Sequence, residues 1–403
     1  MTEHTNTPEL RFPEFKDEWK LQKLGNLAQF SKGKSLSKKD LNINGKPCIL
    51  YGELYTKYGA ILNKVYSKTS TQNDSLVFSK RNQILIPSSG ETDIDIATAT
   101  AIDTDVKIAI GGDLNIITPI NSDGRFISLY INGKGKYNLA KYAQGKSVVH
   151  LYNSDIKKLN FYLPTNMAEQ KKIGDFFSKL DRQIELEEKK LELLEQQKRG
   201  YMQKIFSQGL RFKDEEGNYY KEWNTKQLKD VLEFSNKRTT NENEYPVLTS
   251  SRQGLILQSD YYKDGKTFAE SNIGYFILPK NYITYRSRSD DGIFKFNLNQ
   301  IIDVGIISKY YPVFKGINTN QYYLTLHLNY RLKKEYIKYA TGTSQLVLSQ
   351  KNLQNIQTKL PSYEEQTKIA NFLSELDKLI EKQSDKVELL KDRKKGLLQK
   401  MFV

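Results

Sequence analysis

Between about Met167 and Phe206 no proline interrupts the chain, and Ile173, Phe177, Leu180, Ile184, Leu191, Leu194, Tyr201 and Ile205 follow steps of three, four and seven. From residue 364 to residue 402 the same frame holds Ile369, Leu373, Leu376, Ile380, Val387, Leu390, Leu397 and Met401. A heptad stripe with charged residues on the other faces predicts two long amphipathic helices. Polar residues interrupt the stripe at matching places, Glu187 with Gln383 and Lys198 with Lys394, where they cost stability and fix register. Each predicted helix is a rod of roughly 60 Å. One helix in water cannot satisfy such a stripe. Each either packs on its own neighbouring domain or pairs with the other helix, and antiparallel pairing is the stronger expectation.

The helices close two copies of one unit. Leu10-Arg11-Phe12 recurs as Leu210-Arg211-Phe212, and Trp19, Leu24, Phe30 and Ser31 recur as Trp223, Leu228, Phe234 and Ser235. Tyr142-Ala143-Gln144-Gly145 returns as Tyr339-Ala340-Thr341-Gly342, and Leu163-Pro164 as Leu360-Pro361. Glu169-Gln170-Lys171-Lys172-Ile173 returns as Glu365-Gln366-Thr367-Lys368-Ile369. A period near half the chain is a tandem duplication, not a solenoid of short units. Ahead of each helix, residues 12–163 and 212–360 carry short runs rich in Ile, Val, Tyr, Phe and Thr, including 83–86, 116–118, 274–278 and 301–307. Gly, Asn, Asp and Ser punctuate them, so both parts read as mainly β. The expected fold class is α+β: two similar, mainly β globular domains separated by two long helices packed as an antiparallel coiled coil, a pseudo-twofold tandem repeat.

Polar content differs at two matched places. After one matched strand the first copy has Pro87-Ser88-Ser89-Gly90-Glu91-Thr92 and the second Tyr285-Arg286-Ser287-Arg288-Ser289. Earlier, Tyr51-Gly52-Glu53-Leu54-Tyr55-Thr56-Lys57-Tyr58 stands opposite Ser250-Ser251-Arg252-Gln253-Gly254. A retained framework with altered loops is what two readers of different ligands require. Arg bonds guanine O6 and N7 bidentately, Gln suits adenine and Glu accepts from cytosine N4, while Ser and Thr serve phosphates or bases. The candidate DNA contacts are therefore Glu53, Tyr55, Lys57, Ser88, Ser89, Thr92, Arg252, Gln253, Arg286, Ser287 and Arg288. Ordinary solvated turns are the plain alternative for any single one of them.

Charge points the same way. The chain has 62 Lys and Arg against 47 Asp and Glu, a net +15. Charges nearly balance within the two predicted helices, so the excess falls on the globular parts, as a polyanion partner would require. At 403 residues, 38% hydrophobic and 27% charged, the chain is long enough for two or three folded domains. No apolar run approaches the ~20 residues of a membrane span, and no secretory leader is visible at the N-terminus. A lone Cys48 rules out an internal disulfide framework and a Cys-rich zinc site, so a reducing cytoplasm is expected.

Reactive chemistry is hard to find. The three histidines lack metal-ligand spacing, no Gly-x-x-x-x-Gly-Lys-Ser/Thr loop occurs, and Gly133-Lys134-Gly135 is too short for a dinucleotide fingerprint. No two prolines are adjacent, which removes the Asn/Asp-Pro-Pro-aromatic grip of amino-methyltransferases. Glu91, Asp93 and Asp95 alternate as on one face of a strand and could suggest a metal-dependent nuclease, a weak signal. No catalytic or metal site is assigned.

The whole pattern resembles the specificity subunit of type I restriction–modification systems. The resemblance rests on Pro8-Glu9-Leu10-Arg11-Phe12-Pro13 followed by Trp19 and Leu24, on Leu163-Pro164 with Glu169-Gln170-Lys171-Lys172-Ile173, on the return at Leu360-Pro361 with Glu365-Gln366, and on the Lys-Arg-Gly and Lys-Lys-Gly endings near Gly200 and Gly396. It implies two target-recognition domains, 1–163 and 208–360, each reading half of an asymmetric bipartite site on double-stranded DNA. It implies two conserved helical spacers, 164–207 and 361–403. It further implies two methyltransferase subunits bound along the helices and two restriction subunits, translocating endonucleases, in the full complex. No cofactor belongs to this chain on that reading: S-adenosylmethionine serves the methyltransferase, and ATP and Mg2+ the endonuclease.

The expected mechanism combines three parts. Basic domain surfaces displace counterions from phosphates, loops read base edges, and the helices act as a ruler, with about one duplex turn (~34 Å) between half-site centres. A stand-alone nuclease or methyltransferase, or a coiled-coil scaffold with RNA-binding domains, is the competing class.

Overall fold

The computed structural model describes residues 6–34, 36–62, 64–72, 75–261 and 271–403. It divides into two compact units, residues 1–191 with 383–403, and residues 192–382. In the first, a four-stranded antiparallel sheet runs Ala28–Lys32, Leu114–Pro119, Ile84–Pro87, Thr100–Ala101. In the second the order is Leu232–Ser235, Val313–Gly316, Ile283–Tyr285, Phe296–Leu298. The duplication read from the sequence is thus a duplication of sheet topology. In each unit the opening strand also pairs with the last one before the helix, Lys20–Lys23 with Asn160–Leu163 and Asn224–Gln227 with Gln357–Leu360. That ladder brings both ends of the globular part to the root of the helix.

The domains also contain a core helix where the sequence pattern predicts β or loop. Gly124–Asn132 starts at Asp123, whose carboxylate accepts from Arg125 N, and Gln321–Tyr330 starts at Asn320, whose side chain accepts from Tyr323 N. Gly124 is required locally, since a Cβ there would lie 2.4 Å from the Asn82 carbonyl oxygen. The copies part company beyond this frame. The first adds a second sheet in the order Ser67–Thr69, Leu41–Ile49, Ala109–Ile110, Val77–Phe78, while the second uses a hairpin of Leu248–Ser250 with Leu255–Leu257 and a pair of Phe276–Pro279 with Val304–Ile307.

The long helices span Met167–Phe206 and Tyr363–Lys400. Inside the first unit, residues 167–191 lie antiparallel to residues 383–400. Lys386 meets Glu187 at 2.5 Å, Lys391 meets Glu188 at 2.6 Å and Lys394 meets Asp181 at 2.5 Å. The matched polar seam residues bond each other directly: Gln383 Nε2 donates to Glu187 Oε2 at 2.7 Å and to its carbonyl at 3.0 Å. Inside the second unit the sense is again antiparallel, with Lys198 on Asp377 and the Tyr201 and Phe372 rings 4.9 Å apart.

Seam residues serve two surfaces at once. Ile173, Phe177, Leu180 and Ile184 join the core of the first domain together with Leu390, Met401 and Phe402 from the far end of the other helix. Ile369, Leu373 and Leu376 join the second core together with Ile205 and Phe206. Both packing alternatives posed by the sequence are therefore realised. Leu191, Leu194 and Ile380 are only half-buried in the seam, whereas Val387 is buried. Phe402 sits among Trp19, Phe126, Tyr130 and Phe177, and Phe206 among Trp223, Tyr323, His327 and Tyr330.

The most specific repeated residues build the joint between domain and helix. Buried Glu169 receives Arg11 bidentately, at 2.7 and 2.8 Å, and the Trp19 indole N–H at 3.3 Å. Gln170 accepts from Asp123 N and donates to Pro164 O. In the second copy Gln366 makes the same two bonds, to Asn320 N and Pro361 O, and Arg211 lies 3.5 Å from buried Glu365. The second clamp is looser. Burial pushes the Glu365 carboxyl up, against the pull of Arg211.

One core position differs in chemistry. Tyr130 stacks on Phe161 in the first domain, whereas His327, at the same place in the second domain's helix, bonds Thr358 Oγ1 at 2.7 Å. Burial, with Arg331 nearby, holds this imidazole down at about 3. The folded state keeps it neutral, while the unfolded chain binds a proton below the ordinary value of 6.5. Its contribution to stability is present above 6.5 and is lost as pH falls from 6.5 towards 3, by about 1.4 kcal/mol per pH unit. A His327→Tyr/Thr358→Phe double variant, carrying the first domain's pair, should lose this component, most clearly between pH 6.5 and 5. Thermal melts against pH test it; equal slopes for variant and parent would contradict the assignment.

Candidate nucleic-acid interface

A strand edge in each domain carries the first set of predicted contacts. In the second domain Arg288–Ser289 pairs with Leu346–Val347, and in the first Ser89–Gly90 pairs with Val149–His150. The bridging strands follow Gly342 and Gly145, at φ 110° and 122°. A Cβ at Gly342 would lie 2.2 Å from Gln345 O, and one at Gly145 2.1 Å from Val148 O. The repeated Tyr-Ala-x-Gly string is therefore the turn that positions each edge.

The bridges also set the register between copies. Leu348 N bonds Ser287 O as Leu151 N bonds Ser88 O. Ser88 thus corresponds to Ser287, Ser89 to Arg288 and Pro87 to Arg286. That register is one residue away from pairing Pro87 with Tyr285. Tyr285 instead belongs to the core, stacked on Phe296 with its hydroxyl donating to Leu348 O at 2.9 Å.

In the second domain the two predicted segments meet in one concavity. Ser250, Gln258, Arg286, Arg288, Tyr310 and Gln345 line it with neighbouring residues of the same unit. Arg286 and Arg288 are exposed, two apart on an extended segment, and pair with no carboxylate among the described residues. The Arg288 guanidinium lies over the Tyr310 ring at 5.4 Å, and Ser287 Oγ donates to Tyr310 O at 3.0 Å. Arg252 is held differently, 2.7 Å from Asp291. Ser289 donates to the same carboxylate, which these bonds, the Ser289 one foremost, hold below the usual range. Gln253 is exposed on the hairpin turn.

The first domain builds its concavity at the equivalent place from different residues. Tyr51, Tyr55, Lys57, Glu91 and Asp113 line it beside Lys38. Residues 51–58 are not a loop: Tyr51–Thr56 is helical, because the Glu53 side chain caps it by accepting from Leu50 N at 3.0 Å. Glu53 is also buried and bonded by Lys57 at 2.8 Å and by Ser67 Oγ. Its carboxylate is thus occupied inside the domain. Ser88 is buried, Ser89 Oγ lies 3.2 Å from His150 Nδ1, and Thr92 caps a short helix, Asp93–Ile96. Asp93 and Asp95 consequently lie on a helix and not on a strand face. Burial raises the Tyr55 hydroxyl, with Tyr51, Glu91 and Asp95 adding to the shift.

Sequence reasoning missed Tyr310, Gln345, Gln258 and Asp113. A signal for two of them existed: Gly111-Gly112-Asp113 and Ser308-Lys309-Tyr310 follow equivalent strands, but only strand pairing aligns them. Cys48 is buried, its thiol pushed up to about 11 by that burial.

The family model for the type I restriction modification DNA specificity domain matches residues 16–196 and again residues 220–389. The chain belongs to this family. The type I restriction enzyme MjaVIII specificity subunit of Methanocaldococcus jannaschii is 25% identical over 96% of this chain and 92% of its own length. The crystal structure of a type I restriction–modification S subunit from M. genitalium superposes with a TM-score of 0.63 at 18% identity, over 98% of this chain and 99% of that one. The fold is therefore that of specificity subunits, and the chain is a non-catalytic DNA-recognition subunit. No described helix is long and apolar enough to cross a membrane.

Glu53 belongs to the scaffold of this specificity subunit. Glu53→Ala should lower the stability of the first unit by about 1–3 kcal/mol while leaving the recognised DNA sequence unchanged. Thermal denaturation beside sequencing of methylated sites checks both; an altered sequence with undiminished stability would reverse the assignment.

Proposed function

We propose that residues 1–163 and 208–360 each read one half of a bipartite, asymmetric DNA site, and that residues 164–207 and 361–403 are spacers that hold the halves at a set separation. The observation that carries this reading is the pair of equivalent concavities, framed by the same strands yet lined by different side chains. A shared frame with different linings is suited to two different half-sequences. Tyr55, Lys57, Ser89 and Thr92 are the first domain's contacts, with Ser88 behind them. Arg252, Gln253, Arg286, Ser287 and Arg288 are the second domain's. The net charge of +15 supplies the salt-sensitive attraction to phosphates.

Off the seam, the long helices carry leucines more than half exposed: Leu186 and Leu389 in the first unit, Leu193 and Leu379 in the second. Exposed apolar side chains on otherwise charged helices suit docking of partner helices. Their partners in this proposal are two methyltransferase subunits, which bind S-adenosylmethionine, joined by two ATP- and Mg2+-dependent restriction subunits in a cytoplasmic complex.

Exchange of residues 12–163 for those of another family member, with Met401 and Phe402 matched to the new core, tests independent reading. Methylome sequencing should show one half-motif replaced and the other intact. Change in both halves would contradict the proposal.

A further inference from the structure

The two concavities have opposite charge at the positions nearest the reading edge. In the second domain the unpaired groups are the guanidiniums of Arg286 and Arg288, which carry five N–H donors each and no acceptor. In the first domain Pro87 and Ser89 occupy those positions. There the carboxylates of Glu91 and Asp113, which only accept when ionised, have no bonding partner among the described residues, and with Lys57 tied to Glu53 the one cation left to set against the two of them is Lys38. Asp113 stands where the second domain has Tyr310, the ring beneath Arg288.

An exposed carboxylate gains nothing from phosphates, which repel it, so its useful partner on a duplex is a base amine. In the major groove the amines are cytosine N4 and adenine N6, whereas guanine offers two acceptors, O6 and N7. A guanidinium placed over an aromatic ring keeps its edge free for that acceptor pair.

We infer that the two domains read base edges of opposite hydrogen-bond polarity: Arg286 and Arg288 select guanine through O6 and N7 in the second half-site, and Glu91 and Asp113 select amine-bearing bases in the first. The inference rests on the bipartite reading proposed above and deepens it by naming the chemical class each domain recognises. Asp291 sharpens the assignment, since it ties down Arg252 and leaves Arg286 and Arg288 as the free pair.

Base analogues test this without disturbing the protein. Methylome sequencing first gives the motif, and domain exchange assigns its halves. The full chain, assembled with its methyltransferase partner, is then titrated with duplexes carrying 7-deazaguanine, which lacks N7. In the second half-site the analogue should weaken binding about 10-fold or more. In the first half-site it should change binding by less than about 3-fold, while a cytosine or adenine analogue without its exocyclic amine weakens it about 10-fold. In the host, Arg286→Ala and Arg288→Ala should relax guanine preference in the second half while the first half stays fixed. A bipartite motif whose second half lacks guanine, or tolerates 7-deazaguanine, would overturn the inference and leave bipartite reading standing. A motif that cannot be split between the domains would instead remove the bipartite reading and the inference with it.

Discussion

Neither globular core closes with residues of its own repeat alone. The first is finished by Met401 and Phe402, at the end of the second long helix, and the second by Ile205 and Phe206, at the end of the first. A fully buried phenylalanine ringed by a tryptophan and several other aromatics is a large fraction of what a domain of this size gains on folding. Each domain therefore depends on a helix that begins in the other repeat. The Glu169 and Gln170 joint and its Glu365 and Gln366 counterpart fix where each helix leaves its own domain. The antiparallel seam fixes where it arrives.

This dependence explains why the polar seam residues recur. Lys394 on Asp181 and Lys198 on Asp377 are one ion pair drawn twice, and Glu187 with Gln383 bond each other. A purely apolar seam could slip by a heptad, which would withdraw Phe402 and Phe206 from their pockets. Paired polar residues that match in only one register oppose that slip. Against so constrained a frame, the edges proposed to read DNA can vary freely. Pro87 and Ser89 in one copy and Arg286 and Arg288 in the other hang from the same bonded strand, so their replacement alters chemistry without altering placement.

The heptads, the duplication and the two matched segments were legible because each leaves a periodic or repeated trace. The helices Gly124–Asn132 and Gln321–Tyr330 were not, because they are short: nine and ten residues make fewer than three turns, too few to tell a helical period from a short apolar run. Residues 51–56 look like a loop because Gly52 and the tyrosines are turn chemistry, while the decisive event, capping by Glu53, is a three-residue contact hidden inside the segment. The one-residue offset between Pro87 and Arg286 follows from strand pairing with a distant hairpin. No local sequence comparison contains that pairing.

The reciprocal completion of the cores is open to hydrogen–deuterium exchange on the Phe402→Ala chain. Removing that ring from the end of the second helix should raise exchange in Gly124–Asn132 and Lys20–Lys23, hundreds of residues away, while Gln321–Tyr330 keeps its protection. Unchanged protection around Trp19, or equal loss around Trp19 and Trp223, would contradict it.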